Sequence, residues 1–100
     1  MPDFGTPFAG LANARKLSDV ELVRAIRFMM AGEFEATQLY TQLAESTDNK
    51  LAAAVLRDIA DEERVHAGEF LRLLYELAPE EALFHAEGAK EVEEKMKKMK

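Results

Sequence analysis

Two long segments of the chain carry apolar side chains in alternating steps of four and three residues. This spacing places the side chains on one face of an α-helix, so it predicts two amphipathic helices. We call these positions the seam. The seam comprises Leu22, Ile26, Met29, Glu33, Ala36, Tyr40 and Leu43 in the first segment, and Ala52, Leu56, Ile59, Glu63, His66, Phe70, Leu73 and Leu77 in the second.

Local signals indicate where these helices begin and end. Ser18 followed three residues later by Glu21 forms a capping box, which is typical of a helix N-terminus. Asp48 and Asn49 supply turn chemistry between the two segments. The second helix is expected to end before Pro79, because the residue preceding a proline disfavours helix. Two helices joined by a short turn predict an antiparallel hairpin.

A further helix is predicted after this hairpin. Pro79 followed by Glu80 and Glu81 is typical of a first helical turn, where proline is tolerated and acids are favourable. We expect a short helix that ends near residue 86, with continuation past Gly88 as the alternative. From Lys90 the chain is rich in Glu, Lys and Met with little apolar repeat, so it is either a solvated helix or a frayed tail.

The chain is therefore predicted to be an all-α protein with one folded domain. Residues 1–16 contain Gly and Pro without a sustained period and are expected to form a flexible N-terminal arm. Residues 17–88 form the helical domain, and residues 89–100 a charged C-terminal tail. Because 100 residues make only a small core, a lone hairpin is not expected to cover its own seam, and oligomerisation is the expected remedy.

Composition excludes several classes of function. The chain has no cysteine, so it contains no disulfide framework and no thiolate metal site of its own. Its formal net charge is −6, and since the last eleven residues carry about +2, the remainder carries about −8 and repels nucleic acid. We find no signal peptide and no apolar run long enough to span a membrane, so a cytoplasmic location is expected.

Three seam residues are strongly polar: Glu33 in the first helix, and Glu63 and His66 in the second. If the turn lies at Asp48 and Asn49, residues whose numbers sum to about 97 face each other across the hairpin. Glu33 then lies level with Glu63 and within a turn of His66. A buried carboxylate is unfavourable unless it is paired or bound to a metal, so the coincidence indicates a site.

The residue types indicate a metal site that is half complete. Carboxylate-bridged di-iron bundles use one Glu from each of two helices and a Glu-x-x-His pair from each of the other two. This chain supplies one Glu of the first kind, Glu33, and one pair, Glu63 with His66, so a complete site needs two chains. The alternative is a buried Glu–His ion pair that fixes the register of a dimer.

Other residues near these positions have two interpretations each. Tyr40 lies two turns after Glu33 on the seam and is either a core aromatic residue or a hydrogen-bond donor to a ligand carboxylate. Glu35 and Glu62 lie beside the seam and are either surface charges or a secondary acidic site that guides metal inward. His85 has no evident partner, and a solvent-facing role is favoured over ligation.

The run from Glu33 to Tyr40, followed by the run from Asp61 to His66, resembles the encapsulated ferritins. These are half-ferritins housed in encapsulin shells, and the resemblance covers about residues 17–79. Classical ferritins and rubrerythrins place four such helices on one chain and are similar only locally. This chain differs from some relatives at Gly32, where they carry another acid, and shows no recognisable encapsulin-targeting peptide.

The resemblance implies a ferritin-like fold in which two hairpins dimerise into a four-helix bundle. It further implies that Glu33, Glu63 and His66 of two chains bind two irons at their interface, with Tyr40 close to the metals. It implies a ferroxidase that oxidises Fe²⁺ with O₂, a decamer built from five dimers, an encapsulin shell protein as partner, and a location inside that nanocompartment. The alternatives are a rubrerythrin-like peroxide reductase and a metal-stapled helical assembly module without catalysis.

Overall fold

Three α-helices make up the fold. The computed structural model describes residue 12 and residues 14–100, so most of the predicted arm, residues 1–16, lies outside the described residues. The helices are α1 (Asp19–Glu45), α2 (Lys50–Leu77) and α3 (Pro79–Lys98). α1 and α2 pack along each other as a hairpin, and α3 contacts α2. The predicted all-α class is confirmed for the described residues.

Side-chain caps fix the starts of both hairpin helices, and the capping box at Ser18 is the one that the sequence predicts. The Ser18 hydroxyl accepts a hydrogen bond from the backbone N–H of Glu21 at 3.2 Å, and the Glu21 carboxylate accepts one from the Ser18 N–H at 2.9 Å. Arg15 adds two hydrogen bonds to the same carboxylate. The Arg15 guanidinium and the Ser18 donors lower the pKa of Glu21 to about 2. At α2, the side chain of Asn49 caps the backbone N–H of Ala52 at 3.0 Å.

Small side chains form the contact between the two hairpin helices. α2 contributes a column of buried residues spaced seven apart, and α1 contributes residues of its facing stripe. Side chains of this size let two helices approach closely along their length. The buried residues of the hairpin contact are Ala53, Ala60, Ala67 and Leu74 on α2, and Ile26, Ala36 and Ala44 on α1.

Most of the predicted seam lies beside this contact and remains partly open. The exposed fractions of Met29, Leu43 and Leu73 are 38%, 55% and 42%. The apolar repeat selected the larger side chains and missed the alanine column, because alanine contributes little to an apolar pattern. The exposure agrees with the expectation that a lone hairpin does not cover its own seam.

α3 begins at a tight junction and is longer than the short helix predicted. Ala78 is 4% exposed, and it joins Ile26 and Leu74 in a core cluster that ties the start of α3 to the hairpin. α3 then runs through Gly88 to Lys98 without a buried residue, so the solvated-helix alternative describes its second half. The division at residue 88 falls inside this helix and stays a prediction. Among the described residues, no helix has the length and apolar character to cross a membrane.

Candidate metal centre

The three polar seam residues converge at one height of the hairpin. Glu33 projects from the middle of α1, and Glu63 and His66 project from adjacent turns of α2. One ligand atom from each residue lies within 4.8 Å of the other two. The register expected from a turn at Asp48 and Asn49 therefore places these side chains together as predicted.

The distances within this cluster are too long for hydrogen bonds. His66 Nδ1 lies 3.7 Å from Glu33 Oε2 and 3.9 Å from Glu63 Oε2. The side chains of Glu33 and Glu63 are 16% and 19% exposed, whereas that of His66 is 46% exposed. The two carboxylates are thus withdrawn from water, and the imidazole lies at the open edge of the cluster.

One carboxylate oxygen in the cluster has no hydrogen-bond partner among the described residues. Glu33 Oε2 is buried and accepts no hydrogen bond from any described residue. Buried polar atoms are nearly always hydrogen-bonded, so each exception calls for a physical explanation. An ion pair with His66 does not supply one, because the 3.7 Å separation exceeds hydrogen-bond length.

A metal ion fits this arrangement. Two carboxylates and one imidazole are donors that iron, manganese and zinc accept. A cation placed among the three ligand atoms would satisfy Glu33 Oε2 and offset the charge of Glu63. The assignment of Glu33, Glu63 and His66 as metal ligands stays a prediction. It is supported by the Glu33 oxygen that lacks a hydrogen-bond partner and by the types of donor atom present.

Two threonines that follow Glu33 along α1 donate their hydroxyl hydrogen bonds to backbone carbonyl oxygens. The Thr37 hydroxyl donates to the carbonyl oxygen of Glu33 at 2.8 Å, and the Thr41 hydroxyl donates to that of Thr37 at 2.8 Å. These nearby hydroxyls are therefore directed to the helix backbone. They therefore do not donate to the carboxylate of Glu33.

The remaining predicted site residues are not part of this cluster. Tyr40 is half-buried and lies about 10 Å along the axis of α1 from Glu33. Glu35 and Glu62 are exposed on their helices. The donor role of Tyr40 and the metal-guiding role of Glu35 and Glu62 stay predictions.

A second Glu–His cluster, which the sequence analysis missed, lies where α3 leaves the hairpin. Arg27 on α1 forms an ion pair with Glu81 on α3. His85 Nε2 lies 3.7 Å from Glu81 Oε2, and the Tyr75 hydroxyl is hydrogen-bonded to His85 Nδ1 at 2.7 Å. We call these four residues the junction cluster. The prediction that His85 lacks a partner is wrong, although its ring is exposed.

The junction cluster is electrostatically satisfied. The hydrogen bond from Arg27 lowers the pKa of Glu81, against a smaller opposing effect of burial. The same contact raises the pKa of Arg27. The spacing of four residues between Glu81 and His85 could have indicated that these two side chains lie on one face of a helix. Nothing in the sequence indicated that Arg27 and Tyr75 would contact them.

Comparison with known proteins places the fold of this chain among ferritin-like proteins. The model of the family described as Rubrerythrin matches residues 23–100. In the crystal structure of the encapsulated ferritin domain from Pyrococcus furiosus, 94% of that chain superimposes on 92% of this one, with a TM-score of 0.82 and 29% identity.

Two curated relatives are similar in sequence. The encapsulin nanocompartment cargo protein EncC of Myxococcus xanthus is 44% identical over 85 residues, which are 85% of this chain and 64% of that protein. The ferritin-like–encapsulin shell fusion protein of Pyrococcus furiosus is 36% identical over 74 residues, which are 74% of this chain and 21% of that protein. The chain thus spans less than two thirds of the length of either relative.

Proposed function

The chain belongs to the ferritin-like Rubrerythrin family, with encapsulated ferritins as its relatives there, and we propose that it is a ferroxidase whose active site forms between two subunits. Its substrates are Fe²⁺ and O₂. The observation that carries this proposal is the half-complete cluster of Glu33, Glu63 and His66, in which a buried carboxylate oxygen lacks a partner.

A second copy supplies what the cluster lacks. Three ligand residues are too few to hold two metal ions, whereas two copies of each match the ligand set of a carboxylate-bridged di-iron bundle. The partly open seam beside the cluster, including Met29, Leu43 and Leu73, offers the second copy an apolar surface. Pairing of two hairpins across this surface makes a four-helix bundle with the six ligands inside it.

Each residue of the cluster has a distinct part in this site. Glu33 and His66 of each copy would hold one Fe²⁺, and Glu63 of each copy would be shared between the two ions. The two carboxylates sit in an apolar seam, where their charges act on a bound cation more strongly than they would in water. Holding two Fe²⁺ side by side lets O₂ collect one electron from each of them.

The proposed reaction balances without a further reductant. Two Fe²⁺ each lose one electron, and these two electrons with two protons reduce one O₂ to one H₂O₂. The two Fe³⁺ leave the site, which can then bind Fe²⁺ again. Glu35 and Glu62 lie exposed beside the cluster, and we propose that they guide Fe²⁺ inward.

We further propose that the protein acts inside an encapsulin shell as an iron-storage cargo. The support is that one relative is named as an encapsulin nanocompartment cargo protein and another as a fusion to an encapsulin shell. Dimers assembled into decamers would deliver Fe³⁺ to the interior of the shell, because a helical hairpin encloses no storage space of its own.

A second candidate is a peroxide reductase. The matched family description, Rubrerythrin, favours it. In this reaction two Fe²⁺ supply two electrons that, with two protons, reduce H₂O₂ to two H₂O. The 100 residues contain no cysteine to hold a thiolate-ligated iron centre that would return electrons to the site.

Fe²⁺ oxidation in the presence of O₂ tests the proposal. We expect Fe³⁺ to form with O₂ consumption at two Fe²⁺ per O₂, and H₂O₂ to accumulate. Oxidation that requires added H₂O₂ would favour the peroxide reductase. Metal binding without acceleration by either oxidant would leave only a metal-stapled assembly.

A further inference from the structure

A tyrosine of α2 and a histidine of α3 are joined by a hydrogen bond that the proposed iron site does not use. The Tyr75 hydroxyl lies 2.7 Å from His85 Nδ1, and the two ring centroids are 5.4 Å apart. Tyr75 is half-buried, and the side chain of His85 is 45% exposed. The chain has two tyrosines, and the other, Tyr40, is also half-buried but is not hydrogen-bonded to a histidine.

The charges around His85 set the direction of this hydrogen bond. Glu81 Oε2 lies 3.7 Å from His85 Nε2, and the hydrogen bond from Arg27 lowers the pKa of Glu81. Glu81 is therefore an ionised carboxylate, which only accepts hydrogen bonds, and this favours a proton on Nε2 of the imidazole. In the neutral imidazole Nδ1 is then the acceptor, so the Tyr75 hydroxyl donates to it.

This arrangement favours the loss of one electron from Tyr75. Removing an electron from a phenol makes its proton strongly acidic, so oxidation is easier when a base already accepts the hydroxyl hydrogen bond. The phenol proton of Tyr75 can move along that hydrogen bond to His85 Nδ1. The imidazolium that forms faces Glu81, whose negative charge stabilises it.

Packed protein connects Tyr75 with the candidate metal centre. Tyr75 follows His66 on α2 by nine residues, which is about 13.5 Å along the helix axis. Phe70, one turn after His66, packs against the core cluster that contains Leu74, the neighbour of Tyr75 in the chain. Electrons tunnel over distances of this order through packed protein, so Tyr75 can exchange an electron with the centre without touching it.

We propose that Tyr75 and His85 form an oxidisable pair that supplies one electron when H₂O₂ reaches an iron site holding a single Fe²⁺, a role that rests on the proposed function. Reduction of H₂O₂ to two H₂O takes two electrons and two protons. Fe²⁺ gives one electron and becomes Fe³⁺. Tyr75 gives the other and becomes a neutral phenoxyl radical, while its proton stays on His85 and the solvent supplies the two protons. A later Fe²⁺ returns an electron to Tyr75, the proton returns from His85, and no hydroxyl radical is released.

Light-driven oxidation of the metal-free protein tests the pair itself. Tyr40→Phe leaves Tyr75 as the only tyrosine, and Tyr75→Phe leaves Tyr40 as the matched control. A photo-generated ruthenium(III) tris-bipyridine complex removes one electron, and the phenoxyl radical is followed by its visible absorption and by electron paramagnetic resonance. We expect Tyr40→Phe to form the radical at least tenfold faster than Tyr75→Phe. Adding His85→Leu to Tyr40→Phe should remove this advantage, with helix content unchanged by circular dichroism.

Fe²⁺ and H₂O₂ together test the electron-donor role. Anaerobic Tyr40→Phe given limiting Fe²⁺, mixed with H₂O₂ and frozen, should show the Tyr75 radical, and adding Glu63→Ala should lower its yield at least tenfold. Equal light-driven rates in the two single-tyrosine variants, or no slowing by His85→Leu, would overturn the pair. A radical that forms with light but not with Fe²⁺ and H₂O₂ would overturn the donor role. A Tyr75 radical from H₂O₂ in a protein that consumes no O₂ with Fe²⁺ would uphold the inference and refute the proposed ferroxidase.

Discussion

Two Glu–His clusters on the same hairpin differ in whether the chain satisfies them. In the junction cluster, Glu81 is paired with Arg27, and His85 is hydrogen-bonded to Tyr75. In the cluster of Glu33, Glu63 and His66, the oxygen of Glu33 nearest to His66 has no hydrogen-bond partner among the described residues. Side-chain burial does not separate them, since Glu81 is 19% exposed and Glu33 is 16% exposed.

The difference shows what distinguishes a structural ion pair from a candidate ligand set. In a structural ion pair the chain itself supplies the opposite charge, as Arg27 does for Glu81. The cluster of Glu33, Glu63 and His66 contains two carboxylates and an imidazole, and no Arg or Lys of the described residues forms an ion pair with it. A cation from outside the chain could therefore neutralise the two carboxylates. Substitutions in the two clusters should therefore have opposite consequences for metal binding and for metal-free stability.

The largest effect is expected from loss of the Glu63 carboxylate, the proposed bridging ligand. Glu63→Ala removes one ligand from each half of the shared site, and loss of groups that merely support ligands already costs about 10–100-fold. We therefore expect Fe²⁺ oxidation to fall by about 100-fold or more, with helix content unchanged by circular dichroism. Glu76→Ala, which breaks only the exposed contact with Arg72, is the control. Wild-type rates in Glu63→Ala would rule out Glu63 as a ligand.

The next comparison concerns stability without metal. Glu33→Gln removes a buried charge that has no partner, so the metal-free protein should become more stable, by about 1 kcal/mol or more. Glu81→Gln removes a charge that Arg27 needs, so it should lower the melting temperature. Both are measured by thermal melting in chelator at one protein concentration. Destabilisation by Glu33→Gln in chelator would contradict the view that the Glu33 carboxylate lacks a partner in the metal-free protein.

A pair of histidine variants separates ligation from structural pairing. His66→Ala should lose most of the upward melting shift that anaerobic Fe²⁺ confers, because a ligand stabilises the state it binds by mass action. A tenfold weaker site reduces that stabilisation by about 1.4 kcal/mol at saturating metal. His85→Ala should keep the shift and change only the metal-free melting. Equal Fe²⁺-induced shifts in wild type and His66→Ala would refute the ligand assignment.

The smallest effect is expected at the start of α1. The pKa of Glu21 is lowered from its ordinary value of 4.5 to about 2 by Arg15 and Ser18. Its ionised form therefore stabilises the folded state above pH 4.5, and this contribution is lost as the pH falls towards 2. Glu21→Gln should lower the melting temperature slightly at pH 7 and not at pH 2. An equal difference in melting temperature between wild type and Glu21→Gln at pH 7 and at pH 2 would contradict this role of Glu21.

The sequence predicted the parts of the fold that depend on local signals. The capping box at Ser18, the turn at Asp48 and Asn49, and the stop before Pro79 gave the helix bounds. Counting across the turn was enough to bring Glu33 level with Glu63. These features were predictable because helix periodicity and hairpin register are set by neighbours along the chain.

Features that depend on three-dimensional packing were not predicted. The alanine column on α2 carries the hairpin contact, but small side chains make a weak apolar pattern. The meeting of Arg27 with Glu81 depends on the angle at which α3 leaves Ala78, and that angle follows from packing against Ile26 and Leu74. The length of α3 was underestimated because its second half is helical without a buried face.

The central claim is that one metal site belongs to two chains. Native mass spectrometry of the protein titrated with Fe²⁺ under anaerobic conditions measures subunit number and bound metal in the same ion. The account predicts dimers, or assemblies of dimers, that carry two irons per dimer, and monomers that carry none. Monomers that bind their own full complement of iron, and that oxidise Fe²⁺ after isolation as fast as the assembly does, would contradict it.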